Sequence, residues 1–413
     1  MKQDRKEKGN FPILRFPDFQ GEWEEKKVSD ILEFFPTNSL SWEQLEYSER
    51  ELYNLHYGLI HKGLPTQIDL ALCALPSIKE SNIPNNYTIC RNGDVAFADA
   101  SEDTNDVAKV VEFLDCNEKK IICGLHTIHG RDKLELTVTG FKGYIFSSTF
   151  FRNQIRKIAQ GTKIYSISTK NFSECYVNIP PKEEQMKIAN LLLLIDERIS
   201  TQIKIIEELR LLKCVLLKKT FFQELRFPEF NKNWKTVRLG DVGTFFSGGT
   251  PLTSMKLYYN GDIPFIKSGE INADCTEQFI SEEGLKNSSA KMIEIGDLIY
   301  ALYGATSGEV GISKIKGAIN QAVLCIRTKL NSIFLLNYLM FKKDEILRTY
   351  LQGGQGNLSA EIIKSLKISV PINAEQTKLA YLFSAFDRKV ELEMNIMAKL
   401  KQQKQYLLQQ MFI

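Results

Sequence analysis

Apolar residues recur at intervals of three, four and seven along two long stretches of the chain. In the first they fall at Ile188, Leu191, Leu192, Ile195, Ile199, Ile205, Ile206, Leu209 and Leu216. In the second they fall at Leu379, Leu382, Phe383, Phe386, Val390, Ile396, Met397, Leu400 and Leu407. This spacing marks one face of an α-helix. Pro180-Pro181 and Pro371 stand just ahead of the two starts, where a missing amide donor costs little. Glu183, Glu184 and Glu375 sit in the first turns, where their charge suits the helix dipole. An unbroken helix over 182–222 would run roughly 60 Å, longer than a core of one domain needs. The pattern predicts two long antiparallel helices that bury their stripes against each other as a coiled coil. The expected packing positions are Ile188, Leu191, Ile195, Ile199, Ile206 and Leu209 on one helix. On the other they are Leu379, Leu382, Phe386, Val390, Met397 and Leu400.

The segments between the stripes read as mixed α/β, which makes the predicted class α+β. Thr88-Ile-Cys90 and Asp94-Val-Ala-Phe97 read as strands divided by an Asn92-Gly93 turn. Leu134-Glu-Leu-Thr-Val-Thr139 alternates apolar and polar residues, as a half-buried strand does. Further along, Asp297–Leu302 and Ala322–Arg327 read as strands and Phe334–Tyr350 as a helix. Gly93-Asp94 and Gly296-Asp297 each open a strand after a turn, which points to one fold used twice.

A direct internal repeat supports that reading. Arg15-Phe-Pro-Asp-Phe19 recurs as Arg226-Phe-Pro-Glu-Phe230, and at the same offset of 211 Trp23 matches Trp234, Asp30 matches Asp241, and Phe34-Phe35 match Phe245-Phe246. A second set, Pro180, Glu184, Gln185, Lys187, Ala189, Leu191 and Asp196, recurs at an offset of 191 as Pro371, Glu375, Gln376, Lys378, Ala380, Leu382 and Asp387. The order is therefore lead-in, variable segment and long helix, twice over. We divide the chain into an N-terminal lead-in (1–23), a first variable domain (24–179), a central helix (180–225), a second lead-in with its variable domain (226–370) and a C-terminal helix (371–413).

With 413 residues the chain has room for two or three domains. A hydrophobic content of 43% excludes wholesale disorder. The longest aliphatic run near the chain centre, Leu191–Ile195, is far short of a membrane span, and the charged N-terminus does not read as a secretory signal. The expected location is cytoplasmic, with reduced and mostly buried thiols. The eight cysteines include no Cys-x-x-Cys pair, which speaks against a zinc ribbon or a thioredoxin-type site.

Catalytic signatures are missing from the sequence. Asn178-Ile-Pro-Pro-Lys182 departs from the Asn/Asp-Pro-Pro-aromatic pattern of amino-methyltransferases and reads as a helix start. There is no Gly-x-x-x-x-Gly-Lys-[Ser/Thr] phosphate loop, and Gly353-Gly354-Gln355-Gly356 reads as a flexible connector. Pro17-Asp18 with Glu24-Glu25-Lys26 is too tightly spaced for a nuclease metal site, and the repeat copy has Lys235-Thr236-Val237 in its place. His56, His61, His126 and His129 all fall in the first variable domain, and no Cys or carboxylate is evident in the sequence to complete a metal site with them. They read instead as polar surface or base-contact residues. No metal ligands and no catalytic residues are therefore assigned.

The formal charge is +3. Residues 24–179 carry 17 basic and 21 acidic side chains, and residues 235–370 carry 15 and 13. Any attraction for phosphates must come from local patches. Candidates are Arg152, Arg156, Lys157 and Lys163 in the first half and Lys342, Lys343 and Arg348 in the second.

The duplicated Arg-Phe-Pro-x-Phe…Trp lead-in, the helices after Pro-x-x-x-Glu-Gln and the two divergent domains resemble the DNA-specificity subunit of a type I restriction-modification system. The resemblance spans essentially the whole chain. Gly-Leu-His-Thr-Ile at 124–128 and Phe97-Ala-Asp-Ala-Ser101 are similar to one type of target-recognition domain. Ser247-Gly-Gly-Thr-Pro251, Asn260-Gly-Asp-Ile-Pro264 and Tyr303-Gly-Ala-Thr306 are similar to another.

The resemblance implies that each variable domain reads one half of a split, asymmetric double-stranded DNA site, in defence against foreign DNA. It implies that the helices set the gap between the halves and dock two methyltransferase subunits. S-adenosylmethionine would belong to those subunits, and ATP and Mg to motor-endonuclease subunits, with no cofactor on this chain and no membrane partner. Base reading is expected at loops on strand ends. We expect His126, Thr127, His129 and Arg131, with Arg152, Arg156 and Lys157, to contact DNA in the first domain. In the second we expect Lys267, Ser268, Tyr303, Thr306, Asn320 and Gln321. The competing readings are a stand-alone DNA-binding regulator or coiled-coil scaffold, and a divergent fused methyltransferase or nuclease.

Overall fold

The computed structural model describes residues 9–350 and 357–413, so the Gly353-Gly354-Gln355-Gly356 stretch lies outside the described residues. The chain forms two units, Met1–Ile203 with Asn395–Ile413 and Lys204–Met394. In each unit the two repeated motifs, separate in sequence, become the two sides of one clasp.

In the first unit the Arg15 guanidinium donates through Nε and Nη2 to both oxygens of Glu184, each at 2.8 Å, and Glu184 is fully buried. In the second, Arg226 meets Glu375 in the same way at 3.1 and 2.9 Å. Bidentate pairing of this kind fixes orientation as well as charge. Lys187 pairs with Asp18, and its counterpart Lys378 with Glu229. Gln185 and Gln376 each donate from Nε2 to the carbonyl of the helix-opening proline, Pro180 or Pro371, at 2.9 Å. A short antiparallel strand pair closes each domain beside its clasp: Glu24–Lys27 with Tyr176–Ile179, and Lys235–Arg238 with Lys367–Val370.

The domains are built on one sheet used twice. In the first unit the order is Leu32–Phe35, Thr127–Asp132, Val95–Ala98, Val110–Asp115, with Gln67–Asp69 added in parallel at the edge. In the second it is Gly243–Ser247, Val323–Thr328, Leu298–Ala301, Val310–Ile312. The registers correspond: Phe35 lies opposite His129 as Phe246 lies opposite Cys325, and Val95 lies between Gly130 and Glu112 as Leu298 lies between Ile326 and Ile312. Gly93 (φ 83°) and Gly296 (φ 95°) make the preceding turns in the left-handed region, where glycine carries no Cβ penalty. Each domain adds a smaller sheet containing a parallel pair, Leu52–Leu55 with Lys120–Cys123 in one and Ile263–Ile266 with Gly317–Ile319 in the other.

The long helices, Lys182–Phe221 and Asn373–Gln410, do not stand as a separate body. Ile188, Leu192 and Ile195 join the first core together with Leu407, Met411 and Phe412. Leu217 and Phe221 join the second core together with Leu379 and Phe383. The start of one helix thus shares a core with the end of the other, which makes them antiparallel. All twelve expected packing positions are buried or half-buried, whereas Ile396 on the predicted stripe is exposed. No helix among the described residues is long and apolar enough to cross a membrane.

Two expected strands do not form. Residues 134–139 are a loop tied down by Asp132, whose carboxylate accepts from the amides of Leu134, Leu136 and Thr137 and from the Thr137 hydroxyl. Leu136 and Val138 still pack on the core, which is why the alternation looked like a strand. Thr88–Cys90 makes only a single bridge, Ile89 to Ile122.

Candidate nucleic-acid interface

Three loops lie at the same edge of the fold in both domains. Register equates the turn after Leu52–Leu55 with the turn after Ile263–Ile266, the end of Val95–Ala98 with the end of Leu298–Ala301, and the loop before Thr127–Asp132 with the loop before Val323–Thr328. The side chains they carry differ.

In the first domain the loops hold a row of aromatic and imidazole rings. Trp42 lies 4.4 Å from His56, His56 4.7 Å from Tyr57, and Tyr57 5.2 Å edge-on to His126 (centroid distances). Lys62 sits over Trp42 at 5.2 Å, a cation–π contact. His126 is half exposed, adopts φ 53° and brings Nδ1 to 3.1 Å from Asp99 Oδ1. Burial, with the nearby His126 and Lys62, lowers the His56 pKa, so His56 is neutral at pH 7 and its Nδ1 accepts from the Gly58 amide. Burial raises the Asp99 pKa against the opposing pull of His126.

In the second domain the equivalent loops hold hydrogen-bonding groups instead. The Thr250 hydroxyl lies 2.6 Å from Gln321 Oε1; burial raises the Tyr303 pKa, and the neighbouring Gln321 opposes it. Asn320 accepts from the Ala322 amide through Oδ1 at 3.0 Å, which shapes the loop, and its carbonyl accepts from the Gly248 amide. A Cβ on Gly248 would stand 1.7 Å from the Ile319 carbonyl oxygen, so only glycine brings this loop in so close. Lys267 is exposed and Ser268 half-buried at the turn after Ile263–Ile266. Thr306 is half-buried in the next loop, where its carbonyl accepts from Glu309.

Sequence reasoning therefore brought His126 to one edge, and Lys267, Ser268, Tyr303, Asn320 and Gln321 to the matching one. Three of its choices belong to the scaffold instead. Thr127 is buried and donates to the Gly124 carbonyl at 2.5 Å. His129 is fully buried with Nε2 2.8 Å from Asp94 Oδ2. Burial works against its charge, but Asp94 and the adjacent Cys90 outweigh it and lift its pKa to about 9. Arg131 spends its guanidinium on both oxygens of Asp94, at 2.8 and 2.7 Å, and on the Phe35 ring. Arg327 repeats this arrangement with Asp297 and Phe246. Burial opposes the ionised form of each aspartate, yet the arginine keeps both pKa values below the ordinary range.

The basic patches are also largely engaged within the chain. On the helix Thr149–Ile158, Arg152 is half-buried and donates to the Asn105 carbonyl; burial pulls its pKa down to about 10. Arg156 donates to Asn105 and Asn153, while Lys157 and Lys163 are exposed. Lys342 and Lys343 pair with Glu345 and Glu309, and Arg348 donates to the Asp344 carbonyl. The residues missed were Trp42, Tyr57, Asp99 and Thr250. Their local signal is weak, because each lies next to an edge that only the tertiary fold assembles.

Fold and loops together define a duplicated two-domain protein with two unlike surface sites on one scaffold. Comparison with known proteins extends this. Residues 231–402 match the family described as type I restriction modification DNA specificity domain. The chain is 23% identical over 402 residues to the protein described as the MjaX type I restriction enzyme specificity subunit of Methanocaldococcus jannaschii, covering 93% of this chain and 91% of that one. It is 28% identical over 176 residues to the EcoR124I/EcoR124II specificity subunit of Escherichia coli, covering 40% and 43%. The fold is shared with the type I restriction-modification S subunit from M. genitalium, at TM-score 0.60 and 17% identity over 98% of this chain and 99% of that one. The chain is thus similar along most of its length to type I restriction enzyme specificity subunits, and residues 231–402 match the DNA specificity domain of that kind.

Proposed function

We propose that this chain is the DNA-recognition subunit of a type I restriction-modification complex, reading a bipartite asymmetric site with its two loop clusters. The observation that carries this reading is the pairing of a repeated sheet and clasp with unlike loops at equivalent places. A repeated scaffold with two different reading edges is what an asymmetric, two-part site requires. Rings such as Trp42, Tyr57 and His126 offer apolar faces and imidazole donors, and Gln321, Tyr303, Thr250 and Lys267 offer donors and acceptors matched to base edges. Lys342, Lys343 and Arg156, engaged within the chain, fit a protein that takes part of its affinity from partners.

In this proposal the chain performs no chemistry itself and acts in the cytoplasm. Two methyltransferase subunits carrying S-adenosylmethionine dock on the helices, and motor-endonuclease subunits bring ATP and Mg. The two-fold repeat of the helices suits the recruitment of two identical partners. The test is to exchange residues 24–179 for another recognition domain and map methylated sites of the assembled complex. One half of the motif should change and the other persist; an unchanged motif would overturn the proposal. Methyl transfer by the purified chain alone would favour the fused-enzyme reading instead. Inserting four residues after Arg198 should alter the accepted gap between half-sites or abolish assembly.

A further inference from the structure

Behind the reading edge of the first domain lies a cluster that its function does not use. Cys90, Cys123 and His129 bring their donor atoms within 4.8 Å of one another, and all three are buried. The two sulfurs are 3.6 Å apart. A tetrahedral cation with metal–sulfur bonds of about 2.3 Å holds its thiolates roughly 3.8 Å apart, so the pair is already at nearly the spacing of two ligands. His129 Nε2 faces Asp94 at 2.8 Å, and Asp94 is held in turn by Arg131. His129 Nδ1 is buried and has no hydrogen-bond partner among the described residues. A carboxylate behind one ring nitrogen, a second nitrogen without a partner and two thiols within 4.8 Å of the imidazole together match the outer-shell arrangement that orients a histidine ligand.

The second domain shows that the fold does not demand these residues. Register places Ile293 where Cys90 stands, Ile319 where Cys123 stands and Cys325 where His129 stands. All three are fully buried in one apolar cluster. The same point of the core is thus filled by two isoleucines and one thiol in one domain and by two thiols and an imidazole in the other. Cys90 and Cys123 also pack within an apolar cluster, so what sets the second group apart is the imidazole, a nitrogen donor that packing does not require.

We propose that Cys90, Cys123 and His129 form a site for a soft divalent cation of the zinc class, which ties the strand Thr127–Asp132 to the strand Lys120–Cys123 and to the segment bridged to it at Ile89. The two sulfurs bind as thiolates and Nδ1 gives its lone pair. The thiol protons, and the Nδ1 proton where His129 is charged, pass to solvent as the metal binds. Three protein donors leave one tetrahedral position for a water molecule.

The experiment uses the full chain purified without chelator, with metal content read by mass spectrometry and Co²⁺ exchanged in for spectroscopy. About one equivalent of zinc is expected, with a thiolate-to-cobalt charge-transfer band after exchange. Cys123→Ser and Cys90→Ser should each lower occupancy about tenfold or more, whereas Cys275→Ser, at an exposed thiol, should leave it unchanged. A reading independent of any variant's folding is alkylation of the native wild-type chain. Zinc should protect Cys90 and Cys123, and chelation should expose them. Metal-free protein after reconstitution, full occupancy in both serine variants, or a Cys90–Cys123 disulfide in the freshly purified chain would each overturn the proposal.

Discussion

The two domains agree where the fold is held and differ where the surface is presented. Arg15–Glu184 and Arg226–Glu375, or Arg131–Asp94–Phe35 and Arg327–Asp297–Phe246, are the same devices at equivalent positions. At the reading edge, His56, Tyr57 and His126 are replaced by Lys267, Ser268 and the Tyr303–Gln321–Thr250 group. The contrast marks the Arg–Glu and Arg–Asp pairs as architecture, because they recur with their partners, whereas the loop residues do not. Even the shared devices are not equally buttressed. Glu375 receives a further hydrogen bond from Trp234 Nε1 at 3.2 Å, whereas Trp23 Nε1 has no partner among the described residues.

That asymmetry gives the largest expected effect. Arg15→Ala leaves the buried Glu184 carboxylate without its guanidinium and should cost about 3–5 kcal/mol. Arg226→Ala should cost less, about 2–3 kcal/mol, because Trp234 still serves Glu375. Chemical denaturation of both variants measures the difference; equal losses would mean that the indole contributes nothing.

The Arg–Asp–Phe clamps come next. Asp94 is almost fully buried and also holds His129, while Arg327 is 45% exposed. Arg131→Ala should therefore destabilise by about 2–3 kcal/mol and Arg327→Ala by under about 1 kcal/mol. If Arg131 served mainly as a DNA contact, Arg131→Ala would leave the melting temperature intact and weaken only binding.

A smaller effect depends on pH. In metal-free protein the His129 pKa of about 9 lies above the ordinary value of 6.5. Its contribution is complete below about pH 6.5 and is lost as pH rises through 9, at most about 3–4 kcal/mol. At the equivalent place burial lifts the Cys325 thiol pKa to about 12, so it stays protonated across that window. Calorimetry in chelator should show the first unit losing stability between pH 6 and 9 while the second holds steady. A His129→Gln chain should lose that slope.

The sequence made the scaffold legible because its clasp joins residues at two constant offsets. Of the two main sheets the sequence marked only Asp94–Phe97, Asp297–Leu302 and Ala322–Arg327; the strands pairing with them carried no comparable signal. The site was only partly legible. His129 and Arg131 are polar residues on a strand, and without the fold nothing separates a side chain facing DNA from one facing Asp94. The Trp42–His56–Tyr57–His126 row combines a short 3₁₀ turn, a helix start and a strand-end loop, so no local spacing announces it. Cys90 and Cys123 lie 33 residues apart, outside any short ligand motif. The alternation at 134–139 misled because apolar packing at every second residue also suits a loop pinned by one aspartate.

If the chain reads a two-part site, equivalent edges of its two domains read different halves of it. The most direct measurement maps methylated motifs made by the assembled complex when the chain carries Tyr57→Ala and His126→Ala, and separately Tyr303→Ala and Gln321→Ala. Each pair should relax or change a different half of the motif and leave the other half and the gap as they were. Loss of both halves together, or a motif untouched by either pair, would contradict it.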